Sequence, residues 1–475
     1  MGCFLGVDLG TSYFKAGLFD EDGRLMGLGR QFLKKNVTGK ICELPVSVFW
    51  ETLHDCIGEA VKNAKINPFE IKALSYSSQA NSFIFLDRYD HPLTPLILWP
   101  DQRAEGIDMP LGFSEQSDYQ EITGLGIKPD PQFGMAKINW FQKVQPQIWA
   151  QVKSVMSISD YLVFSLTGQK LSDYSTAAMT GLFNISECQW YSKMLGVLSL
   201  SPAHLSLPMR MGLMVGKLTD RGAQLLGLHH NSLFCLGGLD HHLAAVGAGL
   251  PGSNYFSEST GTVLACVCYT DNYRPRPKVC IAPGLDDDHF FQMIFDDNGA
   301  ASLEWYQNNF AAMYSILELM EMAASVEAGS RDLIAAPVVN HYENLSGFSN
   351  IKQYHHHGYF VRAILESTAL SLNEIFNVLK ENARPAGVVA TGGGAKSRIW
   401  VQIKADLTGM DFLVPQCNES ACLGAAMLGA FGTKEYGNLN EIMELWSRNA
   451  ECIKPDNVNV AGYENWLRRR KLKGL

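Results

Sequence analysis

The chain has 475 residues, 39 of them Lys or Arg and 48 Asp or Glu, for a formal charge of −9 at pH 7. This balance argues against nucleic acid, which is held largely by surplus basic charge; the one basic cluster, Arg468-Arg469-Arg470-Lys471-Leu472-Lys473, reads as a solvated tail. With 47% hydrophobic and 18% charged residues the chain can bury a substantial core, which excludes general disorder, and its length predicts two or three domains.

The 11 cysteines are scattered and form no CxxC pair, and the His229-His230, His241-His242 and His355-His356-His357 groups stand at no zinc spacing. Cys266 and Cys268 would share one face of a strand, as packing residues. Reduced thiols predict a cytosolic protein. Phe4-Leu5-Gly6-Val7 runs straight into Asp8, too short for a signal h-region, and no apolar run reaches the ~18 residues that cross a bilayer. We therefore expect a soluble, cytoplasmic protein with no membrane partner.

In chain order, Phe4 to Val7 reads as a strand, followed by a Gly-Thr-Ser turn, a second strand from Phe14 to Phe19, the hairpin signal Asp20-Glu21-Asp22-Gly23 and a third strand. An amphipathic helix is predicted over 48–64, then a strand over 71–76, an α/β layer. Around Leu233 the pattern restarts: a buried strand over 233–236 ends in Gly237-Gly238-Leu239-Asp240, and 255–269 holds a hairpin around Ser259-Thr260-Gly261-Thr262. The likeness of the Asp8 to Ser12 turn to the Ser259 to Val263 turn hints at two related halves. A helical stretch over 303–324, a loop over 336–349 and a long helix over 359–381 lead to Val388-Val389-Ala390-Thr391-Gly392-Gly393-Gly394. Helices over 397–407 and 421–431, with a strand over 412–415 between them, close the pattern.

Several of these segments carry chemistry. Gly10-Thr11 after a strand places backbone N–H groups and a hydroxyl in a tight turn able to cradle a phosphate, although such a turn also serves as a plain hairpin; Gly261-Thr262 repeats it. Gly392-Gly393-Gly394-Ala395-Lys396-Ser397 lets a flat ligand or a phosphate approach backbone, but lacks the spacing of a Walker A loop, and Lys396 reads as a surface charge. Asp240, after a buried strand and two glycines, should stand at the C-terminal edge of a sheet, where it suits a general base; its competing reading is a helix N-cap. Asp8 would occupy the matching place in the first half, and of the two carboxylates one could accept a proton while the other helps hold Mg²⁺ through water. Asp240-His241-His242 also spells a manganese phosphoesterase signature, whose companion motifs are missing. Trp99-Pro100-Asp101-Gln102-Arg103 combines an aromatic, a carboxylate and a guanidinium, equipment for a polyhydroxylated ligand or, more plainly, a local ion pair. Ser78-Gln79-Ala80-Asn81 offers amides and a hydroxyl at a strand end.

Taken in order, these segments resemble the FGGY family of carbohydrate kinases. The matches are Gly6-Val7-Asp8-Leu9-Gly10-Thr11-Ser12 with Lys15, Ser78-Gln79, Trp99-x-Asp101-x-Arg103, Asp160-Tyr161-Leu162 with Leu166-Thr167-Gly168, and Gly237-Gly238-x-Asp240. They continue through Gly261-Thr262, Arg362 to Glu366, Gly392 to Ser397, and Glu419 with Leu423-Gly424-Ala425-Ala426. The resemblance, which points to the xylulokinase-like branch, implies an α/β fold of two actin-like, ribonuclease-H-type domains with an interdomain cleft. Residues 1–232 would bind mostly sugar and 233–475 mostly ATP. It implies Asp240 as catalytic base and, with Asp8, as the Mg²⁺ site. Gly10, Thr11, Ser12, Lys15, Gly261, Thr262, Gly393, Gly394 and Ser397 would face the nucleotide, and Gln79, Ala80, Asn81, Trp99, Asp101, Arg103 and Asp240 the sugar. A homodimer phosphorylating a primary hydroxyl of an open-chain ketose or polyol is expected; the rival is an inactive relative that senses a sugar or serves as a scaffold. The chain departs from the family in lacking a Gly-Glu-Arg stretch over 337–348, in Val263 where Ser is frequent, and in Ala80-Asn81 where xylulokinases tend to have Met-His.

Overall fold

The computed structural model describes residues 2–108, 118–250, 254–447 and 450–472, without side chains for 469–472. The expected basic tail therefore lies, beyond Arg468, outside the described side chains. Contacts divide the chain into two compact units: unit 1 is Met1–Gly252, Tyr269–Gln292 and Glu419–Ser447, and unit 2 is Ser253–Cys268, Met293–Asn418 and Arg448–Leu475.

Unit 1 is built on a sheet whose order is Met214–Lys217, Leu233–Cys235, Ile71–Ser78, Cys3–Leu9, Tyr13–Phe19 and Leu25–Phe32, with Gly238–Leu239 also paired to Ile71–Ser78. The first three strands of the chain form an antiparallel meander, as the hairpin signals require, and Ile71–Ser78 then lies parallel to Cys3–Leu9. All seven residues of Cys3–Leu9 are buried, which explains the apolar run that precedes Asp8. The Val46–Ala64 helix covers the sheet with Phe49, Leu53, Cys56, Ile57 and Ala60, one stripe at helical spacing, and stops at Lys65 in a left-handed conformation with φ 55°.

The segment around Leu233, expected to open the second half, belongs to unit 1. Phe234 pairs with Leu74, and Gly238 and Leu239 pair with Ser77 and Ser78, so the strand extends the first sheet. The glycines make this possible: a Cβ on Gly237 would stand 1.8 Å from the Tyr76 carbonyl oxygen. The Ser420–Gly432 helix approaches the same sheet and the Asp240–Gly247 helix through glycine contacts. A Cβ on Gly6 would lie 1.8 Å from the Cys422 carbonyl oxygen, and one on Gly424 would lie 1.9 Å from that of Leu243.

A second sheet of unit 1, ordered Asn36–Thr38, Ile41–Leu44, Leu96–Ile97, Phe83–Leu86 and Ser154–Ser157, was not foreseen from periodicity because its strands are short. It carries the segments that flank Asn81 and Trp99.

Unit 2 has Tyr255–Thr260 antiparallel to Leu264–Thr270 and parallel to Gly387–Thr391, with Phe412–Pro415 and Ala450–Ile453 following. The single helical stretch expected over 303–324 is two helices, Ala301–Phe310 and Ile316–Ala324, because Ser315 caps the second with its hydroxyl and Glu318 closes a capping box. The long helix His357–Leu379 is buried along most of its length; Arg398–Thr408 in this unit and Ser420–Gly432 in unit 1 match the closing helices. Cys266 and Cys268 are both buried in one strand. Among the described residues no helix is long and apolar enough to cross a membrane.

Candidate active site

Three neighbouring strands of unit 1 end side by side. Cys3–Leu9 carries Asp8, Ile71–Ser78 presents Ser77 opposite Asp8 in register, and Gly238–Leu239, whose Gly238 also faces Ser77, delivers Asp240. Asp8 accepts a hydrogen bond from the Ser77 hydroxyl at 3.0 Å. Asp240 is the first residue of the Asp240–Gly247 helix rather than its N-cap, which is Leu239; its Oδ1 accepts from the His241 amide at 2.8 Å, and the residue is half-buried. Burial pushes the Asp8 carboxyl up from its usual range, Lys15 opposes this, and Asp240 adds to it, so the two carboxylates share one electrostatic field. Lys15 stands 3.7 Å from Asp8 and 2.8 Å from Glu419; burial alone would pull its ammonium down, but these two acids hold it above the usual lysine range.

The Gly10-Thr11-Ser12 turn follows directly. A Cβ on Gly10 would lie 2.7 Å from the Tyr13 carbonyl oxygen, so the turn demands glycine. Gln79 is buried and spends its amide nitrogen on the Leu9 and Gly10 carbonyls, at 3.1 and 3.3 Å, while its oxygen accepts from Ser82; it braces the turn. Trp99 donates its indole N–H to the Thr11 hydroxyl at 2.6 Å, which ties the aromatic loop to the same turn.

Asp101 and Arg103 form the ion pair. Asp101 is fully buried, and its carboxylate takes the Arg103 Nε and NH2 groups at 2.8 Å each and the Cys42 amide at 2.7 Å; Arg103 also reaches Glu43 at 2.6 Å. Asn81, at φ 58°, accepts from the Gly134 amide and donates to the Met179 carbonyl, so both ends of its side chain are engaged. Ala80 adds a half-buried methyl beside it.

In unit 2 the Ser259–Thr262 and Gly392–Gly394 turns pack against each other. Ser259 faces Thr391 in register, and a Cβ on Gly394 would stand 2.7 Å from the Thr260 Cβ. Gly261 faces open space, with nothing within 4 Å of its Cβ position, and Thr262 is exposed. Ser397 caps the Arg398–Thr408 helix with its hydroxyl, and Lys396 is exposed as expected. Beside this turn lies a cavity of about 810 Å³ lined by Ala395, Arg398, Pro415, Gln416 and Asn418 among others.

His242 is buried and stacks on Phe291 with 4.6 Å between ring centroids; burial lowers its imidazole to about 3. A core histidine of this kind is no metal ligand, and no cluster of three or more metal-binding side chains occurs among the described residues. Arg362 and Glu366, matched on sequence, form a buried pair with the Tyr463 hydroxyl inside unit 2, a structural network.

Sequence reasoning missed three buried charges. Lys137 ties loop carbonyls together, and Glu258 and Lys404 pair beneath the second turn, at 2.5 Å, with the Thr260 hydroxyl accepting from Lys404 at 2.7 Å. A lysine set on the apolar stripe of a predicted helix, Trp400, Lys404 and Leu407, was the available signal.

Asp160, in the matched Asp160-Tyr161-Leu162 segment, is buried, and burial raises its carboxyl to about 7. A raised carboxyl pKa means that its contribution to stability is complete below about pH 4 and is lost as pH climbs to about 7. Asp160→Asn should therefore gain on the wild type across that interval and no further above it. Urea unfolding of both proteins at several pH values checks this; a constant difference would show that Asp160 titrates normally.

Residues 3–247 match the N-terminal domain of the FGGY family of carbohydrate kinases, and residues 335–433 match its C-terminal domain. The chain belongs to the FGGY family of carbohydrate kinases. This FGGY kinase is 26% identical to the xylulose kinase of Bacillus subtilis strain 168, over 97% of this chain and 94% of the relative. It is equally 26% identical to the gluconokinase of that strain, over 93% and 90%. Among solved structures it is similar to a ligand-bound xylulose kinase from Lactobacillus acidophilus, with a TM-score of 0.87 at 22% identity over 99% and 98% of the two chains. The glycerol kinase of Plasmodium falciparum with ADP gives a TM-score of 0.85 at 19% identity, over 100% and 98%. These likenesses establish the actin-like ATPase fold with two sheet-containing units, and family membership makes the FGGY protein a sugar kinase. Kinases of this family take their phosphate from ATP.

Proposed function

We propose that this FGGY kinase transfers the terminal phosphate of Mg-ATP to a primary hydroxyl of a small open-chain ketose or polyol, with Asp240 as general base. The observation that carries the reading is the convergence of Asp8, Asp240, the Gly10-Thr11 turn and the Trp99 indole at neighbouring strand ends. Phosphoryl transfer depends chiefly on positioning and charge neutralisation, so one base in line with the attacking oxygen suffices.

Asp240 accepts the hydroxyl proton as the oxygen attacks. Asp8, a hard oxygen donor whose ionisation the neighbouring Asp240 makes costlier, would hold a magnesium ion, with Asp240 reaching it through water, since magnesium takes only one or two protein carboxylates and keeps several waters. When bound, Mg-ATP supplies the phosphoryl group and the positive charge that offsets these acids. Lys15 keeps Asp8 oriented through its pairing with Glu419. Thr11 and Ser12 offer their turn to the phosphates, and Gly261, Thr262, Gly393, Gly394 and Ser397 of unit 2 receive the nucleotide, with room for its base in the adjoining cavity. Trp99 gives the sugar an apolar wall. Asp101 and Arg103, occupied with each other, shape the loop that presents it, while Gln79, Ala80 and Asn81 line the turn opposite. The protein acts as a homodimer in the cytoplasm.

An ATP-consumption screen over pentuloses, hexuloses, heptuloses, glycerol, tetritols and gluconate with Mg²⁺ tests the reading. Turnover of none of them would favour a sensing or scaffolding relative.

Within that screen the preferred substrate should not be D-xylulose. Ala80 contributes only a methyl, and the Asn81 amide is spent on Gly134 and Met179, so this turn lacks the long thioether and imidazole that xylulokinases tend to carry. A site matched to one hydroxyl pattern rejects sugars that leave its polar groups unpaired, whereas extra space alone is worth ~1–3 kcal/mol. D-Xylulose emerging as best substrate in kcat/KM by ~10-fold or more would refute this.

A further inference from the structure

Lys137 sits in the Gly134–Val144 helix with 0% of its surface exposed. Its ammonium donates to the carbonyl oxygens of Asn81 at 3.3 Å, Leu98 at 2.8 Å and Trp99 at 3.1 Å. Three protons meet three acceptors, so the group is satisfied in full. These carbonyls lie on two separate segments, the 79–82 turn and the 98–103 loop, where no regular ladder serves the backbone. Burying an ammonium is costly, and a methionine of similar length would fill the space without that cost. The charge therefore has a use that packing alone does not supply.

Those two segments carry Gln79, Asn81, Trp99, Asp101 and Arg103. We propose that Lys137 is a positioning residue of the sugar site, fastening the 79–82 turn to the Trp99 loop so that both meet the substrate in one fixed arrangement. The proposal rests on the sugar-kinase reading of those segments. Trp99 in turn holds Thr11, so the fastening extends to the phosphate turn.

Burial draws the Lys137 ammonium down to about 7. The charges that face it are Asp101, which pulls it back up, Arg103, which pushes it further down, and Cys42 and Asp130, which raise it slightly. Loss of the proton leaves two N–H groups for three carbonyls, so the fastening weakens above neutrality.

The test compares wild type with Lys137→Met by steady-state kinetics and by hydrogen–deuterium exchange of the free enzyme. We expect the sugar KM to rise by ~10-fold or more with the ATP KM changed by less than ~3-fold. Exchange should quicken in the 79–82 and 98–103 segments and not elsewhere. In the wild type, kcat/KM for the sugar should fall between about pH 6 and about pH 8.5, a limb that the variant lacks. Equal changes in both KM values, uniform exchange, or survival of the limb in the variant would overturn the proposal. Should Lys137→Met fail to fold, exchange of the wild type at the two pH values, corrected for intrinsic rates, decides: no selective loosening of the two segments refutes it. If the wild type phosphorylates no sugar in the screen while the two segments still loosen, the kinase reading has failed, and Lys137 is a structural fastening with no sugar role.

Discussion

Asp240→Asn is expected to reduce kcat by ~10²–10⁴ while ATP affinity and melting temperature stay close to wild type. The amide retains an Oδ1 that can accept from the His241 N–H, so the start of the Asp240–Gly247 helix is preserved. What it loses is the ability to take a proton. It also removes a negative charge from the field of Asp8, whose carboxyl should then ionise more readily. A fall in kcat with unchanged KM for ATP assigns the loss to the chemical step. Turnover at the wild-type rate would remove Asp240 from the mechanism and leave it as the opening residue of a helix.

The second large effect concerns stability. Lys404→Met should destabilise the protein by about 3–5 kcal/mol, because Glu258 would be left as a buried carboxylate without its partner. One Glu258 oxygen already has no hydrogen-bond partner, and the other would keep only the Thr260 hydroxyl. Replacing both residues, as Glu258→Leu with Lys404→Met, should recover most of the loss, since well-packed apolar groups are often no worse than a buried ion pair. Denaturant unfolding of the singles and the double measures this as a mutant cycle. A loss below about 1 kcal/mol in Lys404→Met would mean that water or a rearranged side chain satisfies Glu258. The pair also supports Thr260, directly before the Gly261-Thr262 turn, so the stabilised double variant should bind ATP more weakly than wild type.

Local signals were sufficient for most elements. The apolar run that precedes Asp8 in Cys3–Leu9, the helical stripe of Val46–Ala64 and the glycine turn after Gly387–Thr391 are short-range patterns, and each formed as the residues predict. The family resemblance, spread over ordered motifs from Gly6 to Ala426, was likewise legible, because it depends on residue types in sequence rather than on who touches whom. The split of 303–324 into two helices was present as the Ser315 and Glu318 capping box but was outweighed by continuous helical periodicity.

What the chain by itself determined about this protein is therefore its element types, its turns and the kinds of side chain offered at strand ends. Tertiary structure decided which ends meet. Asp240 lies 232 positions after Asp8, and only pairing of Gly238 with Ser77, permitted by the bare Cα of Gly237 against Tyr76, brings it into the field of Asp8 within one unit. The same holds for Asp101 and Asn81, whose free-looking polar groups are consumed by Arg103, Cys42, Gly134 and Met179, and for Lys137, whose partners are main-chain carbonyls with no sequence signature. The physical reason is that hydrogen-bond satisfaction in a buried site is settled by long-range packing, which places acceptors from distant segments around one donor.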